Sequence, residues 1–495
     1  MGTKYEELVN MYRDVILFGH ASDILHWDRA VIMPEGGANA RAEVMSFLDG
    51  KVHSHLISDE MFDVLNVALE EENSLKGCER ANLNLMKVHI EKSRIMPADL
   101  VAAVSKAASH CEHRWRTAKH ENDFDAVRPL LTELINLKIQ MADVYAEYLG
   151  CERYDALIDK YDPGRRSAQI DAIFKPLAEN LPHILDDVLE TQPADVIDLP
   201  AMSIADQQKL GLEIAVDLGF DFSAGRLDVS AHPFSGGIAD DVRMTSRYDE
   251  NDYWSGVTAV IHETGHGIYD SRIARDWRYL AIGNSFNMGM SGHESMSLFM
   301  EKQVAHYPTF FDYFAKKLKA TVGYSLDQDR LRDRALHIKR SFIRVDADEV
   351  TYPLHVILRY DLEKQIIGGD LKPADIPDAW REKSKELLGI IPNTDTLGCL
   401  QDIHWYCGDF GYFPCYTLGA IIGAQFFSAA NDEIENLSDT IGRGEFSPIT
   451  DWLEKNIYSK GCEFTIDEIL HQVTGQEINP EHYLSHLKQR YLGEA

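Results

Sequence analysis

Apolar residues along this chain recur mostly at three- and four-residue steps, the period of a helix with one buried face. The clearest run is Leu130, Leu131, Leu134, Leu137, Met141, Val144, Tyr145 and Tyr148, and it stops at Gly150. Similar stripes predict helices over 42–70, 205–219, 294–320, 329–343, 349–366 and 416–429, with Asp, Ser or Pro near many starts. Val257, Val260, Ile261, Gly265 and Ile268 mark another buried helical face. Two-residue alternation is scarce. It is strongest in 226–248, where RLDVS and DDVRMTSRY flank a turn-rich HPFSGG, and it predicts a hairpin there. No internal repeat, low-complexity tract or Pro- or Ser-rich linker breaks the pattern. The expectation is one mainly α-helical domain over 1–495, two-lobed around a cleft, with a small β-sheet beside the 257–268 helix.

Composition narrows the partners. Eighty acidic residues against 49 basic ones leave a net charge of -31, which disfavours nucleic acid and anionic membrane surfaces. Seven scattered cysteines without a CxxC pair argue against a disulfide framework or a thiolate metal site. The N-terminus MGTKYEELVNMYRDV is charged rather than signal-like, and no run of eighteen apolar residues occurs, so a cytoplasmic protein is expected.

The chemistry concentrates at His262-Glu263-Thr264-Gly265-His266. Histidines four residues apart share a helix face one turn from each other, so both imidazoles can reach one metal ion. Glu263, on the neighbouring edge of that face, can act as general base toward a water. A third ligand is needed. The pattern HExxHxxGxxH fails, because Tyr269 stands at the Gly position and Arg272 at the last His position. Glu294, 28 residues after His266 in His293-Glu294-Ser295, offers a carboxylate; the bland alternative is a helix-start acid facing the macrodipole. Asp270, four residues past His266, is either a partner to a ligand or a solvated helix position. Asp241, Arg243 and Thr245 alternate on a presumed strand and share one face. Arg344 lies beside Asp346 and Asp348 on a presumed helix, close enough for Asp348 to orient the guanidinium. The stretch from Gln401 through His404 to Tyr412 and Tyr416 reads either as an aromatic corner or as a loop supplying donors to a reacting carbonyl.

With these residues assembled, the chain resembles the Taq-type thermostable metallocarboxypeptidases, a gluzincin family. The resemblance runs through Trp27-Asp28, Met33-Pro34, Gly36-Gly37 and Tyr154-Asp155, then HPF at His232 to Phe234 and DxRxT at Asp241 to Thr245. It continues with HExxH at His262, HES at His293 to Ser295, IRxxAD at Ile343 to Asp348 and GxxQDxHW at Gly398 to Trp405. Met296 stands where the family usually has Gln. The resemblance implies a helical fold with a deep groove, a homodimer, and one Zn²⁺ per subunit on His262, His266 and Glu294, with Co²⁺ able to substitute. It implies release of single C-terminal residues from peptide substrates, with broad acceptance and Pro poor. In that setting Glu263 is the base, His404 with Tyr412 or Tyr416 stabilises the oxyanion, and Arg344, then Arg243, binds the terminal carboxylate, with His232 also lining the substrate site. An endo-oligopeptidase or dipeptidyl carboxypeptidase would use the same metal constellation. A non-catalytic zinc-stabilised peptide-binding protein is the different-class alternative, and a retained Glu263 argues against it.

Overall fold

The computed structural model describes residues 3–193 and 198–494. It is mainly helical with one three-stranded sheet, as the apolar periodicity predicts. The chain divides into two compact units, each assembled from three stretches: 1–94, 196–335 and 423–477 in the first, and 95–195, 336–422 and 478–495 in the second. None of the helices is long and apolar enough to cross a membrane, among the described residues.

In the first unit, the opening helix (Lys4–Val31) is started by a capping box, Thr3 accepting from the Glu6 backbone while the Glu6 side chain returns to Thr3. Its Tyr5, Leu8, Tyr12 and Val15 pack against Met61, Leu65, Leu83, Met86 and Ile90 of the helices Asp59–Glu70 and Cys78–Ile95. The stripe over 42–70 is interrupted: Ser58 caps a new helix by accepting from the Met61 backbone N–H, so two helices form, Ala38–Leu56 and Asp59–Glu70.

The sheet departs from the expected hairpin. HPFSGG is no turn; its Phe234 begins a strand of its own. The strands are β1 (Gly225–Val229), β2 (Phe234–Ile238) and β3 (Asp241–Ser246), in the order β1-β3-β2. β2 and β3 form the antiparallel hairpin, while β1 lies parallel to β3 on its other side. The sequence around Gly236-Gly237 looks like a turn because glycines disfavour strands, yet here they occupy an edge strand, where β-propensity counts least.

Next comes the HExxH helix (Tyr253–Arg272), capped by Asp252, whose side chain accepts from the Ser255 N–H. The helix Met290–Leu298 follows and runs into a π-helical turn, Phe299–Val304. The single stripe expected over 294–320 is therefore three pieces, the last being the helix Phe310–Val322. The stripe over 329–343 is helical only in Gln328–Ala335.

In the second unit, the segment 398–411 is pinned from several sides. Trp115 Nε1 donates to the Leu400 carbonyl at 2.9 Å and Lys119 Nζ to the Gln401 carbonyl at 2.8 Å. The fully buried Glu363, on the helix Tyr352–Gly368, accepts from Trp405 Nε1 at 2.7 Å, the Gly411 N–H at 2.8 Å and Tyr154 Oη at 2.9 Å. The helix Pro480–Leu492 closes on Glu349 through His486, Arg490 and Tyr491 at 2.8, 2.8 and 3.0 Å.

Candidate active site

A side chain at Gly265 could not be accommodated: a Cβ there would stand 2.6 Å from Ser297 Cα and 2.7 Å from the Met296 carbonyl. The glycine inside HExxH thus lets the backbone of the Met290–Leu298 helix lie directly on the HExxH helix. That contact carries Glu294 to the two histidines. Glu294 Oε1 is 3.7 Å from His262 Nε2 and its Oε2 is 3.5 Å from His266 Nε2. Glu294 lies in the second turn of a helix begun by Gly289, so the reading of it as a first-turn acid facing the macrodipole lapses. Met296 is fully buried at this same contact.

The other nitrogens of the two rings are already held. His262 Nδ1 meets Glu301 Oε2 at 2.8 Å, and Glu301 pairs with Lys302 at 2.6 Å. His266 Nδ1 meets His293 Nδ1 at 2.6 Å, and His293 Nε2 meets Asp270 Oδ1 at 3.2 Å, to which Ser285 Oγ donates at 2.6 Å. One proton arrangement satisfies this chain: His266 Nδ1–H donates to His293, and His293 Nε2–H donates to Asp270. His266 then turns a bare Nε2 lone pair toward Glu294, while Glu301 fixes the Nδ1 edge of His262. Asp270 is therefore tied to the ligand set, but through His293 rather than directly. Phe286 stacks on the His293 ring at 4.7 Å, nearly parallel.

Electrostatics separate the groups. Burial opposes charge on His262, but Glu294 and Glu301 outweigh it and raise this histidine to about 9. Burial, reinforced by His293, pushes His266 down to about 4. Burial also lifts the Glu263 carboxyl to about 7 against the pull of His262. Glu263 Oε2 has no hydrogen-bond partner among the described residues. The ligand atoms of His262, His266 and Glu294 lie within 4.8 Å of one another. Two imidazole nitrogens and a carboxylate in an anionic pocket, each ring fixed from behind, fit a borderline divalent cation such as Zn²⁺.

Other residues expected at the site gather in the second unit. Arg344 is buried; its Nε donates to Asp402 Oδ2 at 2.6 Å, its Nη1 to Tyr352 Oη at 2.7 Å, and its backbone N–H to Gln401 Oε1 at 2.8 Å. The expectation that Asp346 and Asp348 fix its fork is overturned. Residues 344–346 form a 3₁₀ turn rather than an α-helix, and Asp348 instead accepts from the backbone N–H groups of Lys339, Val350 and Thr351. Asp402 also meets His404 Nδ1 at 2.8 Å and Arg359 Nη1 at 3.5 Å. Burial would raise the Asp402 carboxyl, but His404, Arg359 and Arg344 together hold it well below the usual carboxylate range. His404 stacks on Tyr412 at 5.6 Å, Tyr412 meets Tyr416 edge-on at 5.2 Å, and the Arg344 guanidinium lies 5.3 Å over the Tyr416 ring.

Arg243 and His232 belong to the first unit. Arg243 pairs twice with Asp241, at 3.0 and 2.9 Å, and lies 4.4 Å over the Trp27 ring, while His232 is exposed. Sequence reasoning missed Glu301, whose one signal was its position seven residues after Glu294, two helical turns along the same face.

A family model described as Carboxypeptidase Taq (M32) metallopeptidase matches residues 7–491. The chain belongs to the M32 metallocarboxypeptidase family. It is 32% identical over 497 residues to carboxypeptidase 1 of Bacillus subtilis, covering 99% of this chain and 98% of that protein. It is 31% identical to thermostable carboxypeptidase 1 of Thermus thermophilus, covering 98% of each. Among solved structures, the Trypanosoma cruzi metallocarboxypeptidase 1 superposes with a TM-score of 0.95 at 33% identity, covering 99% of each chain. Members of the M32 family are peptide hydrolases that depend on a metal, and the His-His-Glu cluster, among the described residues, is a group that could hold one.

Proposed function

We propose that this M32 enzyme releases single residues from the C-termini of peptides, with Zn²⁺ held by His262, His266 and Glu294 and Glu263 as general base. The observation that carries the reading is the geometry: His262, His266 and Glu294 offer ligand atoms within 4.8 Å of one another, and the buried Glu263 of the same helix keeps one carboxylate oxygen without a hydrogen-bond partner among the described residues. A bound zinc supplies Lewis acidity, acidifying water and polarising a carbonyl. A base whose pKa lies near neutrality both accepts and returns a proton efficiently. Glu263 Oε2 accepts the proton of the attacking water and then delivers it to the departing amine. Glu301 and the His293–Asp270 pair hold the two rings with Nε2 facing Glu294, where the metal would bind.

In the second unit, we assign Arg344 to the substrate's terminal carboxylate. Its buried guanidinium is fixed by Asp402 and Tyr352, which spares the entropy of ordering it when a carboxylate arrives. His404, oriented by Asp402, and Tyr416 or Tyr412 are the proposed donors to the oxyanion. Arg243 is ranked below Arg344 because Asp241 already occupies its fork. Broad side-chain acceptance with Pro poor and a homodimer rest on the resemblance alone.

Mass spectrometry of a peptide ladder tests the reading. Free peptides should shorten by one residue at a time from the C-terminus, chelator should stop this, and zinc should restore it. C-terminally amidated peptides should survive; their internal cleavage would favour an endo-oligopeptidase, and loss of residues in pairs a dipeptidyl carboxypeptidase.

A further inference from the structure

Two lysines of the second unit stand apart from the ion pairs around them. Lys138, on the helix Phe124–Leu149, is 5% exposed and makes no hydrogen bond or ion pair among the described residues. Buried ammonium groups are rare without a partner. Burial and the nearby Lys160 push the Lys138 ammonium down to about 8, while Asp409 pulls the other way. Lys160 is exposed, yet burial lowers its ammonium too. A side chain open to water but poorly solvated stands in a recess rather than on a convex surface.

Asp409 is the acid that both lysines feel, so two cations share one carboxylate. That carboxylate is already engaged. It accepts from Tyr161 Oη at 2.8 Å, and Lys160 Nζ donates to the same Tyr161 oxygen at 3.0 Å. This bond uses one of the three N–H groups of Lys160 and leaves two for a ligand.

The recess adjoins the proposed oxyanion donors. Gly411 has φ +88°, and a Cβ there would stand 2.7 Å from the Leu157 carbonyl carbon, so the backbones of 409–412 and 157–161 lie directly on each other. Tyr161 thereby meets Tyr412 edge-on at 5.1 Å, and Tyr412 stacks on His404. His404, Tyr416, Tyr412 and Tyr161 are all partly exposed, a strip of touching rings that leads from the surroundings of Arg344 to Lys160.

A local excess of positive charge is selective in a molecule of net charge -31. An ammonium with free donors suits a carboxylate. The terminal carboxylate of the substrate is assigned to Arg344, so a second one must come from a side chain. We propose that Lys160, with Lys138 adding to its field, binds the side-chain carboxylate of an Asp or Glu in the peptide substrate and makes the enzyme favour acidic peptides. The proposal rests on the peptidase reading above.

Binding without turnover provides the test, using zinc-loaded Glu263→Gln protein and calorimetry. The probes are hexa-alanine peptides in which each of the last four residues is changed in turn to Glu or to Gln. At one of these positions Glu should bind about ten-fold more tightly than Gln, the worth of one charged hydrogen bond, and the ratio should shrink as salt is raised. Adding Lys160→Ala should bring that ratio close to one, Lys160→Glu should invert it, and Lys160→Arg should keep it above one. A ratio near one at all four positions overturns the assignment, as does a Glu preference that survives Lys160→Glu at unchanged Tm and zinc content. Failure of the peptidase reading would appear separately, as no C-terminal release by the unmutated enzyme.

Discussion

At Glu263, replacement by Gln keeps size and hydrogen bonding but removes proton acceptance. Turnover of Glu263→Gln should fall by roughly 10²–10⁴-fold or more. Zinc content, read by metal analysis, should stay at one per chain; loss of metal would mean that a ligand has been mistaken for the base. Arg344→Ala should lower kcat/KM on free peptides by about 30-fold or more, since losing a partly desolvated Arg–carboxylate pair costs about 2–5 kcal/mol. The same change leaves Asp402 buried with Arg359 and His404, so Tm should drop too. What isolates the carboxylate role is selectivity, because a purely structural loss would reduce free and amidated substrates by the same factor. Much of this scale was legible in the chain: HExxH spacing offers two candidate ligands and a candidate base, and the family resemblance, rather than spacing, singles out Glu294 of HES as the third. Arg344's true partner was not legible. Asp402 lies 58 positions away, and periodicity carries no information about such a pairing.

Elements decide whether those residues meet. Gly265→Ala inserts a methyl between two helix backbones at a contact with no room for one. Overpacking of this kind costs about 1–3 kcal/mol. The cost should appear as a lower Tm together with weaker zinc affinity, because relief requires the Glu294 helix to move away. Zinc bound at wild-type affinity would show that the helix contact does not set the ligand distance. Glu301 sits in the π-helical turn, and Glu301→Gln should weaken zinc binding by about 10–100-fold without removing a ligand; competition against a chelator of known affinity measures it. The helices themselves were readable, but the π turn was not, since apolar spacing continues across it from Phe299 to Val304. The sheet was half-readable. Alternation marked β1 and β3, while Gly236-Gly237 disguised β2 as a turn.

Over the whole molecule, a net charge of -31 surrounds a site that must admit carboxylates. Raising ionic strength from 10 to 150 mM shortens the Debye length from about 30 to about 8 Å. For peptides rich in Asp and Glu, kcat/KM should therefore rise with salt, and for Lys-rich peptides it should fall. Equal salt responses for both would show that local charges, rather than the overall field, govern approach. The same scale holds a consequence of how the units are threaded. Six stretches alternate between them, so the chain passes from one to the other five times. The π turn after Glu294 packs its Phe299 on Phe427, 5.5 Å away, from a stretch of its own unit made much later. At ribosomal speeds of about 5–20 residues per second, the ligand helices wait several seconds or more for that support. Neither unit can close before its third stretch has been made, 423–477 in one and 478–495 in the other, so the first unit cannot be complete before most of the second has been synthesised. The packing behind the His-His-Glu cluster waits for Phe427.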